Sequence, residues 1–597
     1  MNGASFAMRV FVTSLAWFIV SGAFPPPVSA QVKNFTPVTQ EMLLNPSPDD
    51  WLMFSRTYDA QRFSPLNQIN RQNVGQLRMA WARGFEVGTS EHIPIVHGGV
   101  IYSVMPGGGV VALDGATGDL LWEYRRKFPA DMGTYIGLAV RTKSLAIFED
   151  LVLYTAHDGY IVALDARTGE LRWETKAHDY KSGTQHTAGP IVVEGKVIAG
   201  RACQSDKTRE GCFISAHDAR TGKEVWKFYT TAAPGEPGGD SWGSVPVEKR
   251  KASTWGLPGS YDPARHLLYW SIANPTPYTR LKRHNGNPDD IPRSSPADAY
   301  SNSTVALNPD TGKLVWYFQH LPGDDWDQDF IHERVLFRTA LNPDPKAVKW
   351  INPKIRPGEQ RDVAAVVAEG GGVWVLDRAT GEFLWASPFP YDSPYNTVSR
   401  VDVETGKTYI NWDSVFKKDG ERHIICAFNT KSWWPMAYDP GRNSLFVPYH
   451  DSCLDMTAKQ DSESGYGPRF GIPRPGSDIN QFTGIAKINM VTGQVQTIYT
   501  SPVPGNGAAL VTAGDLFFWG DLNRRFRAFD PDTGKILWET IVGGSIISST
   551  ITYAVNGKQY VLVMTGEGQS GTAGVLSQAP KLTIPRGHNA FYVFALP

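Results

Sequence analysis

Gly159-Tyr160-Ile161-Val162-Ala163-Leu164-Asp165-Ala166-Arg167-Thr168-Gly169-Glu170-Leu171-Arg172-Trp173 is the stretch that decides the fold. Its first six residues read as a strand. Asp-x-x-Thr-Gly reads as a tight hairpin turn, because an Asp side chain can bond the backbone two residues on and Gly takes the φ > 0 position. The strand that follows carries a Trp able to pack between neighbouring sheets.

The same phrase returns along the chain. It runs from Leu113 to Trp122, His217 to Trp226, Leu307 to Trp316, Leu376 to Trp385 and Phe529 to Trp538. Weaker copies start at Val401-Asp402 and Ile488-Asn489, and an eroded one runs from Ile69-Asn70 to Trp81. Strand, turn, strand, repeated without helical periods, marks an all-β ring architecture: a β-propeller with tryptophan-docking turns, of about eight blades. The gap from Asp218 to Asn308 is about twice one blade and predicts an insertion or a blade without a clear turn motif. The copy at Asp402 follows Asp377 too closely and is expected on an insertion as well. The final strand, Ala590 to Ala595, is expected to pair with an N-terminal strand and close the ring.

The chain has 597 residues, 41% hydrophobic and 20% charged, with net charge -1, 58 Gly, 42 Pro and 19 Trp. That charge balance points to neither nucleic acid nor an acidic membrane surface. Residues 1–30 read as a secretory signal: Met8-Arg9, an apolar run from Val10 to Val20, and Val28-Ser29-Ala30 before Gln31. The run is too short for a membrane span. A single propeller domain over residues 31–597, exported to the periplasm, is the expectation. Export makes disulfides the preferred state of the four cysteines, with Cys203–Cys212 closing a short loop and Cys426–Cys453 the remaining pair. No Cys-x-x-Cys-His string exists, so no haem c is attached. There is no His-Glu-x-x-His, phosphate loop or strand–Gly-x-Gly-x-x-Gly–helix site either.

A propeller does not imply a function. These turns resemble those of the quinoprotein dehydrogenase family, the pyrroloquinoline quinone (PQQ)-dependent alcohol dehydrogenases of methanol and ethanol type. Four further strings carry the resemblance. Ser253-Thr254-Trp255-Gly256 resembles the string whose Trp lies flat under the quinone, and an indole face suits a planar, electron-poor ring; the competing reading is a core Trp. Ala273-Asn274-Pro275-Thr276-Pro277 resembles the string of the metal-binding Asn, whose amide oxygen is a hard ligand; a turn Asn before Pro is the alternative. Gly323-Asp324-Asp325-Trp326-Asp327-Gln328-Asp329 resembles the string of the catalytic Asp and picks out Asp327. An extended segment would put Asp327 and Asp329 on one side, with Asp325 joining them; a solvated acidic loop is the alternative. Glu91 resembles a position near a cofactor carboxyl group.

By the same resemblance Arg141, Lys143, Thr187, Ser253 and Trp433 are implied cofactor contacts, Arg and Lys suiting a tricarboxylate. Asn274, Asp327, Asp329 and Glu210 are implied metal ligands. The metal is a lanthanide or calcium, and Asp329 favours the lanthanide, since a trivalent hard cation gains from one more carboxylate. Three departures stand out. The adjacent cysteines that cover the second quinone face are missing, leaving Tyr135, Ile136 or Leu138 to do so. The family's Glu ligand does not align securely in Cys203–Cys212, where Asp206 or Glu210 could serve. Glu369 lies where a basic residue normally reaches the quinone, with Arg334 a substitute. The resemblance implies alcohol oxidation to an aldehyde or ketone, with a separate periplasmic cytochrome c as electron acceptor; a homodimer stays open. A non-catalytic scaffold propeller binding a partner protein is the alternative function.

Overall fold

The computed structural model describes residues 31–136, 142–204, 206–567, 575–579 and 582–597. Arg141, Leu138 and the expected signal segment therefore lie outside the described residues. Among the described residues, eight sheets carry four or five strands each and three smaller sheets carry two or three. In the larger sheets most neighbouring strands are consecutive in sequence and antiparallel. Ala146–Phe148, Leu151–Thr155, Tyr160–Asp165 and Leu171–Lys176 make one of them. No helix of the described residues is long and apolar enough to cross a membrane.

The repeated phrase forms as its chemistry requires. Asp165 Oδ1 accepts from the N–H groups of Arg167 (2.8 Å) and Thr168 (3.1 Å). Gly169 takes φ +74°. At Trp122 and Trp226 the indole reaches the turn of the sheet that follows. Trp122 Nε1 donates to Ala166 O at 2.9 Å, and Trp226 Nε1 to Pro309 O at 2.8 Å. Glycine is required at these turns for a second reason: a Cβ on Gly169 would meet the Trp122 ring at 2.5 Å, and one on Gly312 the Trp226 ring at 2.5 Å.

An early strand and the last strand of the described residues meet in one sheet. Arg78–Gly84 pairs antiparallel with Ala590–Ala595, with Arg78 opposite Ala595. The segment just before it is stitched to the same region. Phe63–Ser64 runs parallel to Val511–Thr512. The fully buried Arg62 guanidinium donates to the carbonyls of Phe54 (3.0 Å), Ala509 (2.8 Å) and Thr550 (2.6 Å).

Insertions account for the uneven spacing. Residues 272–302 leave one sheet between Leu267–Ser271 and Ser303–Leu307 and carry Asn274. The Asp402 turn joins Val398–Val401 to Thr408–Ile410, a separate two-stranded hairpin. A three-stranded sheet, Arg422–Cys426 with Ser452–Ala458 and Tyr466–Pro473, is also added, and the Cys426–Cys453 disulfide links its first two strands. Cys203–Cys212 closes the second disulfide.

Gly169→Ala should cost about 2–4 kcal/mol, since the new Cβ meets both a positive φ and a fixed indole. A thermal midpoint equal to wild type in a melting curve would contradict this account of the turn.

Candidate active site

A short antiparallel pairing builds the site. Lys251–Ala252 pairs with Pro275–Thr276, so that Ala252 lies opposite Pro275. The register continues outward, with the Ala273 N–H donating to Ser253 O at 2.8 Å. This sets Ser253-Thr254-Trp255 alongside Asn274. Thr254 N–H donates to Arg201 O at 2.7 Å, and Thr187 Oγ1 donates to Trp255 O at 2.7 Å, so the backbone beneath the indole is fixed from two sides.

Asp329 is the hub. Its Oδ2 accepts from Trp255 Nε1 at 2.8 Å, and its Oδ1 from the Asn274 backbone N–H at 3.0 Å. Asn274 Nδ2 donates to Asp327 Oδ1 at 2.9 Å. The other Asp327 oxygen, Oδ2, is held by Arg469. Glu369 joins this group: it is buried, and its N–H donates to Asp329 O at 3.3 Å. Burial raises the Asp329 carboxyl well above the usual carboxylate range, and the charges of Glu369 and Asp327 push the same way. Burial also raises Asp327, with the Arg469 guanidinium opposing it. Glu369 is pushed up to about 8, burial again first.

Glu91, Lys143 and Thr187 also converge here. Lys143 Nζ lies 3.4 Å from Glu91 Oε2, both side chains being fully buried. The same Nζ stands 5.0 Å from the Trp255 ring centroid and 5.9 Å from that of Trp433. Lys143 N–H donates to Thr187 O at 3.0 Å, and Ile93 N–H to Lys143 O at 2.9 Å, so the strings around residues 91, 143 and 187 are tied together.

Several expectations come out differently. Asp325 does not join Asp327 and Asp329. Its oxygens accept from the N–H groups of Arg280 and, at 2.7 Å, of Phe416. The segment is not extended, because Asp327 sits at φ +62°, and this breaks the alternation that would have aligned all three. Asp324 is likewise used by the backbone, capping Trp326 N–H (2.6 Å) and Gln328 N–H (2.9 Å). Arg334, considered in place of the base that reaches the quinone, is also not the group paired with Asp327. It is buried and spends its donors on Phe330 O (2.8 Å), His332 O (2.6 Å), Ser303 O (3.2 Å) and Thr304 Oγ1 (2.8 Å). Arg469 holds that place; it comes from the added three-stranded sheet, and no local signal marks it.

Glu210 is exposed and accepts from Tyr229 Oη at 2.9 Å, outside the Asp327–Asp329 group. Asp206 is buried but takes Thr184 Oγ1 (2.7 Å) and the Thr208 N–H (2.9 Å). Of the residues considered for the upper face of the quinone, Ile136 is buried and Tyr135 is 40% exposed.

The donor set fits a hard cation. Asn274 is 1% exposed, yet its Oδ1 has no hydrogen-bond partner, while its amide nitrogen already rests on Asp327. Every candidate ligand atom is oxygen, the preference of calcium and lanthanides.

Comparison with known proteins gives the family. Residues 51–387 and 482–561 match the family described as PQQ: glucose/ethanol/alcohol dehydrogenase, beta-propeller domain. The chain is 30% identical to the quinohemoprotein alcohol dehydrogenase ADH-IIG of Pseudomonas putida, over 94% of this chain and 78% of that one. It is 30% identical to the lanthanide-dependent methanol dehydrogenase of Methylorubrum extorquens, over 89% of this chain and 88% of that one. A solved europium-containing methanol dehydrogenase superposes with a TM-score of 0.80 at 28% identity, covering 93% of this chain and all of the other. The chain is a β-propeller enzyme belonging to the PQQ-dependent alcohol dehydrogenase family.

Proposed function

We propose that this chain is a periplasmic enzyme that oxidises an alcohol to an aldehyde or ketone, with Asp327 as general base. The observation that carries the reading is the chain of contacts Trp255–Asp329–Asn274–Asp327, which joins an indole platform to a carboxylate through one amide. The eight larger sheets are read as the blades of one ring, residues 31–597 as one domain, and residues 1–30 as the removed signal.

When bound, PQQ supplies the hydride acceptor, and the metal ion beside it the Lewis acid. The chain's own residues do the rest. Trp255 offers a flat face, and the buried Lys143, balanced by Glu91, offers a cation to a cofactor carboxylate. Arg141 is proposed as a second such contact, and Ser253, Thr187 and Trp433 as neighbours of the ring. Asp327 removes the proton of the substrate hydroxyl as hydride leaves the alcohol carbon. Arg469 opposes the effect of burial on Asp327 and fixes the orientation of its carboxylate. Electrons then pass to a separate cytochrome c, the chain having no haem-attachment string.

We assign the metal as a lanthanide, held by Asn274, Asp327 and Asp329. The extra carboxylate supports a trivalent ion, and a relative named for lanthanide dependence shares this length. Glu210, exposed and bonded to Tyr229, is not carried into this set.

Trp255→Ala should abolish PQQ binding while leaving the protein folded; unchanged affinity by quinone absorbance titration would make Trp255 structural only. Asp327→Asn keeps the shape and removes the proton acceptor, so turnover in a dye-linked assay should fall by a factor on the order of a hundred or more. Apo protein given PQQ should gain activity with lanthanum or cerium, and Asp329→Ala should erase that preference. Activity with calcium alone refutes the lanthanide assignment.

A further inference from the structure

Burying like charges together is costly unless a cation compensates them. The Asp327–Asp329 group contains a third carboxylate, Glu369. Asp329 and Glu369 are each 5% exposed, and the Asp327 side chain 16%. Among the described residues, two basic side chains come near, and both are already paired. Arg469 is bound to Asp327, and Lys431 is committed to Glu333 at 2.6 Å. The nearby cations therefore do not match the three acids. An independent feature points the same way: Asn274 Oδ1, buried and without a hydrogen bond, belongs to the amide head that rests on Asp327.

We propose that Glu369 is a ligand of the bound cation, the acidic ligand that the Cys203–Cys212 loop does not supply. The inference rests on the metal reading above and adds to it a residue from a different sheet. Glu369 follows the strand Glu359–Val367, and its N–H is fixed on Asp329 O, so its backbone cannot drift from the site. Both acids of the closed loop are engaged elsewhere, Asp206 by Thr184 and Thr208, and Glu210 by Tyr229 at the surface. The oxygens of Asp327, Asp329 and Glu369 do not all lie within 4.8 Å of one another. The arrangement exchanges charges across the site: the acid stands where the family resemblance expects a base, and Arg469, from the added sheet, brings the base to Asp327 instead.

Terbium(III) titrated into the metal-free, exported protein tests this without reference to turnover, because Trp255 lies beside Asp329 and can sensitise terbium emission. Wild type should bind terbium with enhanced emission. Glu369→Gln should weaken that binding by at least about tenfold, whereas Glu210→Gln should leave it unchanged. Thermal melting gives a second readout. Metal-free Glu369→Gln should melt above metal-free wild type, a buried repulsion having been removed, and gain less from added terbium. Wild-type affinity in Glu369→Gln, or a loss in Asp206→Asn with none in Glu369→Gln, overturns the assignment of Glu369 and leaves the metal reading intact. Absence of terbium binding by wild type overturns both.

Discussion

The pairing of Arg78–Gly84 with Ala590–Ala595 is the constraint on which the rest of the structure depends. A sheet that pairs an early strand with the last one ties distant parts of the sequence together. It also removes the edge that a terminal strand would otherwise expose. Arg62 reinforces the join through three carbonyls contributed by distant segments. Within this frame the indole-over-glycine contacts set the spacing of neighbouring sheets. A rigid ring against a bare Cα leaves little room for adjustment.

The site draws on that rigidity. The strings that converge on Trp255 come from residues 91, 143, 187, 253, 274 and 329, held by backbone hydrogen bonds as well as by side chains. This suits an enzyme whose redox chemistry belongs to a cofactor, since positioning is then the protein's main task. Asp329 combines two roles. It orients the indole through Oδ2 and the Asn274 backbone through Oδ1, and it contributes charge to the group around Asp327. Acids with no such task are neutralised locally: Asp324 and Asp325 are capped by backbone N–H groups.

The electrostatics of this chain depart from the pattern its turns suggest. A buried glutamate stands near Asp329, and an arginine from an added sheet meets Asp327. Neither change alters the fold, since both lie outside the repeated turns. The ring is a scaffold on which insertions change the charge at the site, and the insertions between strands are where that freedom lies.

The strand–turn–strand phrase was legible in the sequence because its determinants are local: an Asp that bonds the next N–H groups, a Gly at positive φ, and a Trp at fixed spacing. Trp255, Asn274 and Asp327 were legible for a related reason, each lying in a short string that resembles a known one. What the sequence could not carry was convergence across the chain. The bend at Asp327 that turns Asp325 away is a backbone conformation, and the extended reading missed it. Arg469 lies far along the chain from Asp327, on a sheet without the repeat, and only tertiary structure brings its guanidinium to that carboxylate. Arg334, though close in sequence, is instead consumed by the backbone around it. Local hydrogen bonds determine a turn, and sequence shows them. Which charges share one buried volume is decided by the packing of distant segments, and only the folded chain reveals it.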